Sequence, residues 1–218
     1  MKKLRAFVVI AVLVALLGGC GFITGLFGPS KNNILSWVKN IKDGTVYQIQ
    51  ERYSAGGESD TYEYTIEIVD VDERETKTII RAIADGGDYY LIADDARGEL
   101  VQSFDDIVDD TDQVLLEVPV EEGGSWVSYL HSYILYVGIP DRRFTIEQMK
   151  GTRDAGTEVA KDVVVVSVNL TDVWSETTFS TAEVYFSPTY GWLGDRYVFQ
   201  EDGVTYTYET MITDIDIP

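Results

Sequence analysis

The segment Thr61–Val69 reads TYEYTIEIV, and its alternation of apolar and polar residues decides the fold class. The even positions hold four large side chains, Tyr62, Tyr64, Ile66 and Ile68, while threonine or glutamate fills the odd positions from Thr61 to Glu67. Successive side chains of a β-strand point to opposite faces, so this pattern predicts a strand with one face in a core and the other in water. Val204–Glu209 (VTYTYE) repeats the pattern near the C-terminus.

Similar segments follow one another from Thr45 onward, separated by turn signals such as Gly56-Gly57, Gly123-Gly124 and Asp202-Gly203. We predict strands near residues 45–53, 61–71, 75–84, 88–93, 98–103, 114–118, 126–136, 143–153, 161–170, 178–186, 192–200 and 203–215. Such a run predicts a mainly β fold, a single antiparallel, strongly curved sheet (a half-barrel) of about 11–12 strands with one short N-terminal helix. A closed barrel or a β-sandwich is the alternative.

The short helix is predicted at residues 33–42. Asn32 or Asn33 can cap its start, and Gly44 can end it. Four apolar residues share one face at helical spacing, namely Ile34, Leu35, Val38 and Ile41.

The run Val163–Val166 departs from the alternation because it is apolar on both faces. Strands of this kind are covered on both sides. We therefore expect another element, such as the 33–42 helix, to lie across the sheet at this point.

Composition excludes several classes of function. The 218 residues carry a formal net charge of −20, which opposes nucleic-acid binding because that binding needs cations to displace phosphate counterions. One Cys excludes a disulfide framework and cysteine-based metal clusters, and one His excludes multi-histidine metal sites. With 45% hydrophobic residues, the chain is too apolar for disorder.

The N-terminus has the order of an export signal. Lys2, Lys3 and Arg5 form a basic start, and the apolar run Ala6–Leu17 (AFVVIAVLVALL) follows without a charge. Two small residues and then the only cysteine, Cys20, come directly after it.

Leu17-Gly18-Gly19-Cys20 resembles the lipobox of bacterial lipoproteins, which is an aliphatic residue, two small residues and a cysteine. The resemblance implies that the sulfur of Cys20 receives a diacylglyceryl group and that the chain is cut between Gly19 and Cys20. It divides the chain into a signal peptide (1–19), a lipidated cysteine with a tether (20–31) and a β-rich envelope domain (32–218).

An uncleaved membrane helix is the other interpretation of this end, because residues 6–29 contain no charge. Five glycines fall in its second half and disfavour it, namely Gly18, Gly19, Gly21, Gly25 and Gly28. Cleavage removes three positive charges and no acid, so the mature chain carries −23. Anionic lipid headgroups repel such a domain, and we expect the lipid on Cys20 to hold it at the membrane.

The mature chain resembles the Lol-type lipid and lipoprotein carriers of bacterial envelopes, and uncharacterised envelope lipoproteins. The resemblance rests on a helix followed by a long antiparallel sheet, on the phrase Glu183–Pro188 (EVYFSP) followed by Gly191, and on the final strand. In the carriers a curved sheet forms an apolar concavity closed by helices. This chain departs from them in having few segments with a helical pattern.

The sequence gives little support for a catalytic site. His131 needs a nucleophile beside it, and Gly123-Gly124-Ser125-Trp126-Val127 lacks the second glycine of a nucleophile elbow. Pairs of carboxylates can hydrolyse glycosides when they lie at a suitable distance. With 37 acidic residues some pair will meet that distance by chance, so the sequence does not identify a catalytic pair. We expect no enzyme, no catalytic residue and no cofactor.

The acidic stretch at residues 105–112 (DDIVDDTD) places five carboxylates close together, and calcium is bound by clustered oxygens. The stretch lacks the order of a calcium-binding loop, so a solvated acidic loop is the simpler interpretation and no metal site is assigned.

Aromatic residues give the best remaining indication of function, and they are spread over the predicted sheet: Tyr62, Tyr64, Tyr89, Tyr90, Trp126, Tyr129, Tyr133, Tyr136, Trp174, Tyr185, Phe186, Trp192, Tyr206 and Tyr208. Aromatic concavities bind apolar ligands, although tyrosine and tryptophan also fill the cores of β proteins. We expect a lipid-anchored envelope protein that binds a lipid, a lipidated molecule or a protein partner, with Tyr62, Tyr64, Ile66 and Ile68 facing the ligand. A structural or assembly protein with a filled core is the alternative.

Overall fold

A computed structural model describes residues 30–84, 87–132, 137–155, 158–171 and 177–218. One short 3-10 helix (Ile34–Trp37) precedes twelve strands. The strands are β1 (Val46–Ala55), β2 (Glu58–Glu73), β3 (Lys77–Ala84), β4 (Gly87–Asp94), β5 (Glu99–Ser103), β6 (Gln113–Glu117), β7 (Ser125–Ser132), β8 (Val137–Ala155), β9 (Glu158–Val168), β10 (Thr178–Ser187), β11 (Gly191–Glu201) and β12 (Val204–Asp216).

All twelve strands belong to one antiparallel sheet, which confirms the predicted fold class. Its order is β6-β5-β4-β3-β2-β1-β12-β11-β10-β9-β8-β7, so every pair except β1–β12 joins strands that are consecutive in sequence. Each strand overlaps its predicted range, and the main difference is β8, which begins at Val137 instead of residue 143.

The sheet curves until its two edge strands, β6 and β7, lie side by side, so the half-barrel is nearly closed. Side chains of β7 bridge this seam: Trp126 Nε1 donates to the carbonyl of Val114 at 2.9 Å, and Ser128 Oγ accepts from the Val114 N–H at 2.7 Å. An edge strand normally leaves such backbone groups unpaired. Here both backbone groups of Val114 have side-chain partners.

The predicted helix over residues 33–42 is wrong in length and type. Asn33 caps the start as predicted, with its Oδ1 accepting from the Ser36 N–H at 3.2 Å, but the helix ends at Trp37 and is of the 3-10 type. The next turn keeps the same spacing, because the Ile41 N–H donates to the Val38 carbonyl at 3.0 Å. Trp37 packs on Phe186 of β10, and its burial fixes the segment inside the sheet.

The predicted double burial of Val163–Val166 is found in part: Val163, Val164 and Val166 are buried in β9, and Val165 is half-buried. Val164 and Val166 are buried opposite Phe186 and Val184, on the inner face. Val165 pairs with Tyr185 on the outer face, where Gly151 of β8 lies against the valine. The neighbouring strands, not the helix, cover that side.

The hydrophobic core lies inside the curved sheet and draws on the 3-10 segment and on strands from both ends of the chain. Residues 31–218 form one compact unit. Within the ranges given above, no helix is long and apolar enough to cross a membrane.

Candidate functional site

The inner face of the sheet surrounds a cavity of about 350 Å³. This is within the usual size of ligand pockets, about 300–1,000 Å³. Most of the wall is apolar or aromatic and comes from strands β2, β3, β4 and β11, with Ile66, Ile68, Ile80, Leu91 and Trp192 among the larger members.

The structure brings together the four residues predicted to face a ligand, because Tyr62, Tyr64, Ile66 and Ile68 all line this cavity. Alternation along β2 turns them inward, while Thr65 and Glu67 between them are exposed. Ile68 is buried, whereas Tyr62 is 55% exposed. The rings of Tyr62 and Tyr64 stack with centroids 5.8 Å apart, so the wall ends in an aromatic pair at the open side of the cavity.

The opposite end of the cavity is closed by the segment that follows the 3-10 helix. Ile41 and Tyr47 are both buried there, and the Tyr47 hydroxyl donates to the carbonyl of Tyr190 at 3.0 Å. Burial raises the pKa of Tyr47, which keeps the hydroxyl protonated as the donor of this bond. Trp192 and Gly191 complete this end of the wall.

A row of polar side chains interrupts the apolar wall near Tyr62. Glu51 of β1 pairs with Thr210 of β12, which in turn pairs with Asp195 of β11. Paired residues of an antiparallel sheet point to the same side, so all three side chains should face the cavity. All three are among the residues that line it. The Tyr64 hydroxyl donates to Glu51 Oε1 at 3.2 Å.

Asp195 is the most perturbed acid of the cavity. Burial raises its pKa to about 7, with Glu51 adding to the rise, while a hydrogen bond from Thr210 and the charge of Arg153 act against it. The atom Asp195 Oδ1 is buried and has no hydrogen-bond partner among the described residues. A buried carboxyl oxygen without a donor costs free energy, so a donor brought by a ligand would be stabilising.

The basic side chain whose charge acts on Asp195 lies on the other face of the sheet. Arg153 of β8 donates to the Thr210 carbonyl at 3.2 Å, lies 3.4 Å from Glu209 Oε1, and stacks 3.7 Å over the ring of Tyr185. Since Glu209 and Tyr185 point outward, this guanidinium is held outside the cavity.

Gly194 allows β11 to approach β12 closely beside Asp195. Its φ is +123°, and a Cβ at this position would lie 1.9 Å from the Thr210 carbonyl oxygen. Only glycine adopts this conformation readily and leaves room for the partner strand. The close approach sets Asp195 against Thr210 on the inner face.

The aromatic residues singled out in the sequence fall into several groups. Five line the cavity, namely Tyr62, Tyr64, Tyr89, Tyr90 and Trp192. Trp126 and Phe186 are core residues, and Tyr185 is on the outer face. Tyr206 and Tyr208 join Tyr53 and Phe199 in a separate aromatic cluster. Tyr133, Tyr136 and Trp174 lie outside the described residues.

The other candidate residues lie in other elements of the chain. His131 pairs with Gly138 at the end of the β7–β8 hairpin. In the acidic stretch, carboxylates bond to their own loop: Asp105 accepts from the Ile107 N–H at 2.8 Å, and Asp112 from the Asp109 N–H at 2.8 Å. Among the described residues, no three His, Cys, Asp or Glu side chains converge as metal ligands would. The signal segment, with Gly19 and Cys20, lies outside the described residues.

Sequence reasoning missed the polar row, although a signal for it was present. Glu51 is in phase with Tyr47 and Ile49 along β1, and Asp195 is in phase with Tyr197 and Phe199 along β11. An acid in the phase of buried residues marks a candidate site, because charged side chains are rarely placed inward without a reason.

No protein-family model and no curated protein sequence matches the chain. Several solved structures overlap with it, and three of them are the following. A protein of Bacteroides fragilis assigned as exported, with a YmcC-like fold, has a TM-score of 0.47 at 10% identity, over 81% of this chain and 97% of that one. A protein of Parabacteroides distasonis assigned as a lipoprotein has a TM-score of 0.42 at 11% identity, over 80% of this chain and 96% of that one.

The third is a LolA superfamily protein of Nitrosomonas europaea, with a TM-score of 0.21 at 10% identity, over 87% of this chain and 95% of that one. Overlaps this limited, at identities this low, leave the function to be argued from the cavity and the sequence.

Proposed function

We propose that this chain is a non-enzymatic protein of the bacterial envelope, anchored through lipid on Cys20, whose β domain holds an apolar ligand inside its curved sheet. The observation that carries the proposal is the cavity of about 350 Å³ with a mainly apolar and aromatic wall. Apolar walls with a few polar groups are typical of small-molecule sites. A lipid chain, or the acyl chain of a lipidated molecule, has the matching chemistry.

The shape of the site supports a ligand that enters from one side. Tyr62 is 55% exposed, while Ile41 and Tyr47 are buried at the other end. A chain inserted past Tyr62 and Tyr64 would lie along Ile66 and Ile68 with its tip near Trp192. Each methylene buried in this way contributes about 0.8 kcal/mol.

The N-terminal sequence supports the proposed location in the bacterial envelope. A basic start, the apolar run Ala6–Leu17 and the Leu17–Cys20 box fit a lipoprotein signal, and residues 20–31 give a tether to the domain. The mature chain's charge of −23 would keep the domain off anionic headgroups, so the ligand site would face the aqueous compartment.

Native mass spectrometry of residues 21–218, purified after exposure to envelope lipids, tests the proposal. We expect a species heavier than the bare chain that releases a lipid on denaturation. Ile66→Trp should abolish the adduct because indole fills the cavity, and Thr65→Trp, on the exposed face of the same strand, should leave it in place. A bare mass for the folded wild-type domain would overturn ligand binding and favour a structural or assembly role.

A further inference from the structure

We propose that the ligand of the cavity carries a cationic, hydrogen-bond-donating head group, such as a primary ammonium, which binds at the polar row formed by Glu51, Thr210 and Asp195. The proposal rests on the proposed function and names the chemistry of the molecule that the cavity takes. The expected preference for a cation is separate from the acidity of the outer surface, because Glu51, Thr210 and Asp195 line the cavity on the inner face of the sheet.

The strand register places the carboxylates of Glu51 and Asp195 on either side of Thr210. Glu51 and Asp195 both pair with Thr210, so they lie on the strands flanking β12. Neighbouring strands are about 4.8 Å apart, which puts the two backbones about 10 Å from each other with both side chains turned inward. A small cation between them would be in reach of both carboxylates.

The charges of the wall favour a cation and oppose an anion. Glu51 and Asp195 are the charged side chains of the described lining, which includes no Lys, Arg or His. Arg153, which acts on Asp195, is held on the outer face by Glu209 and the Thr210 carbonyl. A fatty-acid carboxylate or a phosphate in this position would meet two carboxylates and no compensating cation.

The hydrogen bonds of the row leave room for a donor from the ligand. Tyr64 already donates to Glu51 Oε1, whereas Asp195 Oδ1 is buried and has no partner among the described residues. An ammonium group supplies three donors, which suits one orphan carboxyl oxygen and a second carboxylate nearby. The ammonium would also favour the ionised form of Asp195, against the effect of its burial.

The apolar chain and the head group then fit the same cavity. Glu51 is separated by two inward positions along β1 from Tyr47 at the closed end, about 13 Å at 3.3 Å per residue. A head group at Glu51 and Asp195 therefore leaves the apolar length of the wall for the chain.

Photolabelling of the full chain in phosphatidylcholine vesicles tests this inference. The probes are dodecylamine, dodecanol and dodecanoate carrying a diazirine at the same carbon, with labelling normalised to that of the vesicle lipid. Adducts are mapped to peptides of β2 and β11 after proteolysis. A charge-assisted hydrogen bond predicts about tenfold more labelling by the amine than by the alcohol, with the carboxylate below both.

Variants separate the head group from the chain. Asp195→Asn should lower amine labelling toward that of the alcohol and leave alcohol labelling unchanged, and Glu51→Gln should lower amine labelling in the same direction. Glu63→Gln removes a carboxylate from the exposed face of β2 and should change neither probe. If Asp195→Asn loses alcohol labelling through misfolding, Glu51→Gln decides the question, and unchanged amine labelling in that variant overturns the inference.

The outcomes distinguish the two proposals. Equal labelling of β2 and β11 by all three probes would overturn the head-group inference and support an apolar-ligand cavity without head-group selection. Labelling of neither strand by any probe would overturn both. Stronger labelling by the carboxylate than by the amine would overturn the inference and point to a cation from outside the described lining.

Discussion

The hydroxyl of Tyr64 donates a hydrogen bond to Glu51 Oε1 at 3.2 Å, although the two residues are not paired across β1 and β2. Glu51 pairs with Tyr62, and Tyr64 pairs with Ile49, so the contact is diagonal. Burial raises the pKa of Tyr64, and the charge of Glu51 raises it further. The tyrosine therefore stays protonated as a donor and fixes the carboxylate at the boundary between the apolar wall and the polar row.

Tyr64→Phe should lower the free energy of unfolding by about 1 kcal/mol at neutral pH, because Glu51 loses its donor inside the cavity. Urea unfolding measures the change. Tyr90→Phe is the matched control, since Tyr90 also lines the cavity and no hydrogen bond of its hydroxyl is found among the described residues. An equal loss in both variants would contradict a specific role for the Tyr64–Glu51 bond.

Asp195 should make stability depend on pH in the direction opposite to that of a salt-bridged acid. Burial raises its pKa in the folded state to about 7, while the unfolded value is about 3.9. Between these values the folded state holds a proton that the unfolded state has lost, so stability falls as the pH rises. The slope for one such group is at most about 1.4 kcal/mol per pH unit.

Comparison of the wild type with Asp195→Asn isolates this effect, because the other acids are common to both chains. The stability of the wild type relative to the variant should decline between about pH 4 and pH 7 and stay constant above that window. Glu51 of β1, Tyr64 of β2 and Arg153 of β8 surround the group and remain in both proteins. A difference that is flat over the whole window, by urea titration at each pH, would show that Asp195 ionises normally.

Gly194→Ala should be the most damaging small substitution in the sheet. The added Cβ would lie 1.9 Å from the Thr210 carbonyl oxygen, so β11 must move away from β12. We expect a loss of about 3 kcal/mol in urea unfolding, from backbone strain and lost strand pairing together.

Gly203→Ala is the control for backbone strain alone. Gly203 also has a positive φ, +76°, but a Cβ there has no described atom within 4 Å. Its cost should be about 1 kcal/mol. Equal losses at the two positions would mean that the close approach to Thr210 contributes nothing.

Fold and cavity wall could be predicted from the sequence to different extents. The two-residue alternation in the sequence predicts all twelve strands, and it also predicts that Tyr62, Tyr64, Ile66 and Ile68 face inward. Both predictions succeed because the burial of one face of a strand determines which of its residues point inward. The prediction of one continuous helix over residues 33–42 was wrong, because successive 3-10 turns bury Trp37 and Ile41 instead. The spacing of apolar residues in so short a segment cannot distinguish such turns from an α-helix. The polar row depends on the pairing of β1 with β12, the one neighbour pair that is distant in sequence.

Cys20→Ala should abolish acyl labelling of the chain and leave the uncut precursor, if the lipobox interpretation of Leu17–Cys20 is right. Metabolic labelling with an alkyne-bearing fatty acid, followed by gel electrophoresis, measures both effects. Cys20 is the only cysteine, so no second thiol can take its place. Normal labelling in the variant would contradict the anchor and favour the uncleaved helix.

Trp126→Phe should loosen the seam between β6 and β7 without disturbing the core on the inner face. Trp126 stacks on Phe144 at 5.6 Å with rings only 7° from parallel, and phenylalanine can keep that contact. The substitution removes the Nε1 donor to the Val114 carbonyl, one of the side-chain bonds that bridge the edge strands. A single hydrogen bond contributes about 1 kcal/mol, so the amides of β6 should exchange about fivefold faster.

Native-state hydrogen exchange resolves where the loosening occurs. Protection should fall in β6 and β7, while amides of β1 and β12, at the centre of the sheet, keep their wild-type rates. Ser128→Ala removes the acceptor for the Val114 N–H and should give the same local pattern. Uniform loss of protection across all strands would instead mean that the seam and the rest of the sheet open together, with no separate motion at the edges.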